Sequence, residues 1–212
     1  MIKVVVVDDH DLVRMGISRM LADVKGLKVV GEACSGEDAL RLCREQRPDV
    51  VLMDVQMPGM GGVEATRKLT QSVPGLRVLA VTVCDEEPIP SMIMKAGAAG
   101  YITKGTPLPE MVAAIRKILD GESYLSPDVA KEIAMKSLQK VDSPFECLSE
   151  REVQVAMMIV NCQNNQEIAD ALYVSPKTIS TYRARIFEKL RIDSDVKLTH
   201  MAMRYGLLQS EK

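Results

Sequence analysis

No apolar run in this chain approaches the roughly 18 residues that a membrane-spanning helix requires, so the sequence predicts no membrane partner. The opening segment Met1 to Val7 meets Asp8 and Asp9 too early for a signal peptide, and the expectation is a cytoplasmic protein. No CxxC pair occurs either. The five cysteines, at 34, 43, 84, 147 and 162, are odd in number, which argues against a disulfide framework or a zinc site and predicts reduced, mostly buried thiols. Excess charge of one sign is also missing, with 27 basic against 29 acidic side chains. There is no internal repeat and no low-complexity tract. What remains is an ordinary globular composition, 47% hydrophobic and 26% charged, long enough at 212 residues for one good core and a smaller second one.

Four short apolar runs fill the first half: Val4 to Val7, Val50 to Met53, Val78 to Val81, and Tyr101 to Ile102. They are uncharged and mostly β-branched, as strands buried on both faces of a parallel sheet should be. Helical patterns alternate with them. Leu12, Met15, Arg19 and Met20 begin one amphipathic stretch, Ala39, Leu40 and Cys43 another, and Leu108, Met111, Ile115 and Ile118 the last. Asp120 and Gly121 close it. Regular βα alternation predicts a doubly wound (βα)5 parallel sheet over residues 1–121. Residues 122–146 are more polar and read as a linker, with a short helix after Ser126 and Pro127.

From 147 to 212 the period is helical throughout, predicting a smaller all-α domain. Ser149 with Glu152 has capping-box spacing, Val153, Met157 and Val160 give that helix an apolar face, and Asn164 and Asn165 break the chain. Ile168, Ala169 and Leu172 mark a second short helix, and Val174, Ser175 and Pro176 turn into a third. At about 100° per residue, Ile179, Ile186 and Leu190 share one side of the third helix, with Tyr182 at its border. Lys177, Thr181, Ala184, Arg185 and Glu188 fall on the other. Between Ser175 and Ile192 five basic residues face one acidic residue, in a chain of net charge −2, so this helix suits a polyanion. A short helix, a tight turn and a longer helix with a small, polar, basic face form a helix-turn-helix suited to the major groove.

Each apolar run of the first half stops at a chemically useful residue: Asp8 and Asp9, Asp54, Thr82, and Lys104. In an open α/β sheet, ligands bind outside the carboxyl ends of the strands, so three carboxylates, a hydroxyl and an ammonium converge on one edge. Carboxylates that close repel by about 3 kcal/mol per pair at an effective dielectric of ~20. A hard divalent cation, Mg²⁺, is the expected compensation. With it and Lys104 neutralising charge, Asp54 at the end of the central run is the candidate nucleophile for an acyl phosphate, and Thr82 a partner for its oxygens.

These residues, with the stretch Asp54-Val55-Gln56-Met57-Pro58-Gly59-Met60-Gly61-Gly62 and Tyr101 three residues before Lys104, resemble the receiver domain of two-component response regulators. The second half resembles the LuxR-type output domain through Leu148-Ser149-Glu150-Arg151-Glu152, Asn165-Gln166-Glu167-Ile168-Ala169 and Val174-Ser175-Pro176-Lys177-Thr178-Ile179. The likeness is to the NarL/FixJ group, of the GacA, UvrY and SirA type. It implies a flavodoxin-like receiver with Asp54 as phosphoacceptor and Asp8, Asp9, Asp54 and Gln56 around Mg²⁺. Thr82 and Tyr101 are the implied switch pair, and Lys104 the phosphate-binding ammonium. In the output helix it implies base-facing roles for Ser180, Thr181 and Ala184, and backbone-contacting or supporting roles for Lys177, Thr178, Tyr182, Arg183 and Arg185. The implied partners are a sensor histidine kinase, of the hybrid BarA or GacS type, and double-stranded promoter DNA bound as a homodimer. The implied function is phosphorylation-dependent transcription regulation, not that of an enzyme.

Every one of these signals also has a plainer origin. A lone aspartate at a strand end is most often a turn former, and the methionines suit core filling. His10 follows the acidic pair and invites a metal role, but its place suits the start of the first helix. A haloacid dehalogenase-type phosphatase would also use Asp, Thr, Lys and Mg²⁺, but it needs an acid two positions after the nucleophile, where this chain has Gln56. A helical module that binds RNA or a protein is the remaining alternative for the C-terminal half.

Overall fold

The computed structural model describes residues 1–83, 89–127, 129–130 and 144–205, and the chain divides into two compact units. The first holds six strands, β1 Ile2–Val7, β2 Leu27–Ala33, β3 Val50–Met53, β4 Arg77–Thr82, β5 Gly100–Thr103 and β6 Tyr124–Leu125. All pair in parallel, in the order β2-β1-β3-β4-β5-β6. The first five reproduce the flavodoxin-like order expected from the sequence. Helices α1 Asp11–Ala22, α2 Gly36–Gln46, α3 Gly62–Ser72, α4 Ile89–Lys95 and α5 Leu108–Leu119 connect them.

Because side chains alternate along a strand, the sheet feeds two cores. Val4, Val6, Leu52, Val81 and Ile102 pack with Ile17 and Leu21 of α1 and with Met111, Ile115 and Ile118 of α5. Val5, Val7, Val51, Met53 and Val78 pack with Ala39 and Cys43 of α2 and with Ala65 and Leu69 of α3. The apolar stripe expected on α1 is corrected here. Leu12, Met15 and Met20 are exposed, and the inward line is Ile17 and Leu21 with partly buried Val13. That line follows the i, i+4, i+8 spacing, which puts residues on one helical face.

Two further expectations change. Among the described cysteines only Cys43 is buried, and burial pushes its thiol up to about 12. Cys34, Cys147 and Cys162 are exposed because they sit in connections, after β2, in the 3₁₀ turn Pro144–Cys147, and at a positive φ of 61°. The sheet also continues beyond residue 121. Gly121, at φ 89°, turns the chain after α5, and β6 then pairs with β5 inside the stretch read as linker. Tyr124 anchors it, its hydroxyl donating to Glu110 at 2.8 Å. Pro127, Val129 and Ala130 are helical, while the rest of the expected short helix and residues 141–143 lie outside the described residues.

The second unit contains α6 Glu150–Val160, α7 Asn165–Ala171, α8 Pro176–Leu190 and α9 Asp195–Arg204. Side chains cap all four. Ser149 and Glu152 close the expected capping box on α6, Asn164 and Glu167 form a second on α7, and Ser175 and Ser194 cap α8 and α9. Val153, Ala156, Ile159, Ile168, Leu172, Ile179, Ile186, Leu190 and Leu198 are buried. Among the described residues no helix is long and apolar enough to cross a membrane.

Candidate functional site

Strand register brings the polar residues together. Val7 of β1 pairs with Met53 of β3, so Asp8 and Asp54 leave the sheet side by side, and the Asp54 N–H donates to the Val7 carbonyl at 2.8 Å. Thr82 ends β4, and the Lys104 N–H donates to its carbonyl at 2.7 Å. Lys104 therefore returns over the same edge, its Nζ 2.7 Å from Asp8 Oδ2 and 2.8 Å from Asp54 Oδ2. Asp8, Asp54 and Thr82 are buried. Tyr101 is fully buried one strand away, which puts the ring of the expected switch pair on the inside.

Each carboxylate is held differently. Asp54 Oδ1 accepts the Gln56 N–H at 3.2 Å, and Asp8 Oδ1 accepts the His10 N–H at 2.9 Å. Burial raises the Asp54 carboxyl above its ordinary range, against the opposing pull of Lys104. Burial alone would lower Lys104, but its hydrogen bonds to Asp54 and Asp8 prevail and raise it, so the ammonium stays charged. Asp9 stands outside this pair. Its Oδ1 is buried, accepts no hydrogen bond, and lies 2.8 Å from His10 Nδ1. Ligand atoms of Asp8, Asp9, His10 and Asp54 all fall within 4.8 Å of one another. Hard oxygen donors at that spacing, one without a hydrogen-bond partner, fit a divalent cation such as Mg²⁺.

Two supports escaped the sequence reading. Arg14, one turn into α1, donates to the Asp8 carbonyl at 2.7 Å and pairs with Asp11 and Glu32, fixing the acidic turn from below. Gly62 permits a close return of the chain, since a Cβ there would sit 2.0 Å from the Asp54 carbonyl oxygen. His10, expected at the start of α1 in preference to a metal role, stands at its N-cap with its ring in the acidic cluster. The first was invisible because it is a side chain to backbone contact. The Gly61-Gly62 pair was a usable signal.

On α8 the expected face is open. Lys177, Ser180, Thr181, Ala184 and Arg185 are exposed, Thr178 and Tyr182 half-buried, while Ile179, Ile186 and Leu190 point into the core. Ser180 and Thr181 return their hydroxyls to the Pro176 and Lys177 carbonyls at 3.1 and 3.0 Å, leaving a smooth strip. Thr178 stands at the cap, its N–H donating to Ser175 Oγ at 3.1 Å. Arg183 differs from its neighbours. Its guanidinium donates to Asn165 Oδ1 at 2.8 Å and pairs with Asp195, tying α8 to α7 and α9. Asn165 Nδ2 in turn donates to Ser180 Oγ at 3.3 Å. A second anchor joins α8 to α6, where Lys189 Nζ lies 2.6 Å from Glu152 Oε2.

Comparison with known proteins covers both units. Residues 4–116 match the response regulator receiver domain family, and residues 146–202 match the luxR family of bacterial regulatory proteins. The chain is 60% identical over 212 residues to the response regulator GacA of Pseudomonas aeruginosa, covering 99% of each. It is 50% identical over 213 residues to the response regulator UvrY of Escherichia coli, covering 100% of this chain and 98% of that protein. The crystal structure of the response regulator ChrA of a heme-sensing two-component system aligns over 98% of both chains, with TM-score 0.56 and 30% identity.

Proposed function

Since the chain belongs to the response regulators that join a receiver domain to a LuxR-type DNA-binding domain and regulate transcription, we propose that phosphorylation of Asp54 sets its affinity for promoter DNA. The observation that carries this reading is the partly buried Lys104 ammonium shared by Asp8 and Asp54 at the carboxyl edge of the sheet. The donor is the phosphohistidine of a sensor histidine kinase, of the hybrid BarA or GacS type suggested by the likeness to GacA and UvrY. An Asp54 oxygen attacks phosphorus, the P–N bond breaks, and the imidazole leaves with the electron pair. Gln56 N–H and Lys104 Nζ hold the two carboxylate oxygens in place for the attack. Asp8, Asp9, Asp54 and Gln56 would hold Mg²⁺, which when bound offsets the charge gathering on the phosphoryl oxygens. The same groups serve self-phosphorylation from small donors and hydrolysis of the product, so the protein is a switch and not a metabolic enzyme.

Thr82 and Tyr101 transmit the change. Moving a two-state equilibrium from 1:99 to 99:1 takes about 5.5 kcal/mol of differential stabilisation, and a partial shift already alters occupancy. In the favoured state two copies place α8 in the major groove of half-sites about one helical turn apart. Ser180, Thr181 and Ala184 face bases. Lys177, Thr178, Tyr182 and Arg185 face the backbone, and Arg183 supports the helix from behind through Asn165 and Asp195. The regulator works in the cytoplasm, where its kinase presents the phosphohistidine.

Acetyl phosphate labelling followed by footprinting, with and without Mg²⁺, tests the whole scheme. Asp54→Asn is expected to abolish the hydroxylamine-sensitive label and the gain in DNA affinity. Label that survives in this variant would move the nucleophile elsewhere, and equal affinity for RNA at every salt concentration would reassign α8.

A further inference from the structure

His10 occupies the N-cap of α1, a position that favours Ser, Thr, Asp or Asn because their side chains can accept a helix N–H. Its side chain makes no capping bond. The ring turns instead toward the acidic pocket, with Nδ1 2.8 Å from Asp9 Oδ1 and 3.4 Å from Asp8 Oδ1. Asp9 Oδ1 is buried and takes no hydrogen bond, while the His10 side chain beside it is 67% exposed. The His10 N–H donates to Asp8 Oδ1 and Arg14 donates to the Asp8 carbonyl, which fixes the backbone from which the ring projects. The position departs from the local rule of helix capping, and such departures concentrate at functional sites.

We propose that His10, through Nδ1, is a nitrogen donor that lets this pocket take first-row transition dications, such as Co²⁺ or Mn²⁺, more tightly than its carboxylates alone would allow. Magnesium prefers an all-oxygen shell, whereas imidazole suits transition metals and their affinities rise along the series from Mn²⁺ to Cu²⁺. Three carboxylates and one imidazole within 4.8 Å of one another form a mixed set that serves both. His10 therefore determines which ion is favoured and leaves the magnesium site otherwise as it is. This inference rests on the proposed function of the same pocket.

The test titrates the full-length, tag-free protein with Co²⁺ and with Mg²⁺ by calorimetry, and records pulsed electron paramagnetic resonance of the Mn²⁺-loaded protein. His10→Ala is expected to weaken Co²⁺ by roughly tenfold or more, since even an outer-shell partner of a metal ligand is worth that much, with Mg²⁺ affinity and the unfolding temperature unchanged. The wild type is expected to show ¹⁴N modulation that disappears in His10→Ala and persists in His200→Ala, His200 being the other histidine of the chain. Absence of ¹⁴N modulation in the wild type, or equal loss of Co²⁺ and Mg²⁺ affinity in the variant, would overturn the inference. If Mg²⁺ binds and Asp54 is labelled, the proposed function survives that result. If the wild type binds neither ion in an Asp54-dependent way, the proposed function falls with it.

Discussion

Neutralising Asp9 should make the metal-free receiver more stable and the magnesium-loaded one comparatively weaker. Asp9 approaches Asp8 and Asp54 within 4.8 Å and has no share in the Lys104 bridge that relieves those two. At that separation and an effective dielectric of ~20, each like-charge pair costs about 3.5 kcal/mol. The Asp9 side chain is 23% exposed, so solvent screens part of this, and the net gain for Asp9→Asn is on the order of 1–2 kcal/mol. For a domain of this size that raises the unfolding temperature by about 3–10 °C. Magnesium reverses the order. At a concentration a hundredfold above Kd it stabilises the wild type by about 2.7 kcal/mol, whereas the variant has lost a negatively charged ligand. Calorimetric unfolding in EDTA, and then across a MgCl₂ series at constant ionic strength, would show the two curves crossing. A lower unfolding temperature for Asp9→Asn in EDTA would refute the repulsion reasoning, and an equal magnesium response would remove Asp9 from the metal site.

Glu152 in the DNA-binding unit is buried, and although burial alone would raise its carboxyl, the Lys189 ammonium and the Ser149 donors hold it below the usual range. Glu152→Ala should cost about 3 kcal/mol at neutral pH by unpairing Lys189 and the Ser149 N–H. A depressed folded pKa means stability that is present above the unfolded value and lost as pH falls through the folded one. The gap in unfolding temperature should thus narrow below about pH 4, and a gap independent of pH would contradict this. Arg185→Ala should lower the slope of log affinity against log salt by about 1 while leaving the fold intact. Arg183→Ala should instead lower the unfolding temperature, because its guanidinium ties α8 to α7 and α9; the opposite pattern would exchange the two roles. Gly62→Ala would force a methyl group against the Asp54 carbonyl oxygen, with a loss of about 2 kcal/mol or more and slower labelling of Asp54. Unaltered labelling would show that the loop yields freely.

The receiver was legible because its inner strands are buried on both faces. Val50–Met53 is uncharged and fully buried, so its end, and with it Asp54, stood out. The edge strand β2 did not. It carries Lys28, Gly31 and Glu32, and its register with β1 shifts between Val4 and Val5. Two residues of β6 are too few to show any period. On α1 the exposed Leu12 and Met15 imitated a core stripe, since hydropathy reports the residue and not the neighbour that covers it. The capping box at Ser149 is local in sequence and was read directly. Arg183, Asn165 and Asp195 come from three helices and meet only after packing, so helical periodicity could not identify the partners of Arg183.

The rung that joins Val7 to Met53 has a longer reach than the two residues it links. Neighbouring strands everywhere lie about 4.8 Å apart, so the gap between the acidic groups that follow this rung is inherited from backbone hydrogen bonding. Core side chains on either face can drift over generations without disturbing it. A slip of β3 by a single position would instead turn its whole alternating set of side chains over and silence the switch at once.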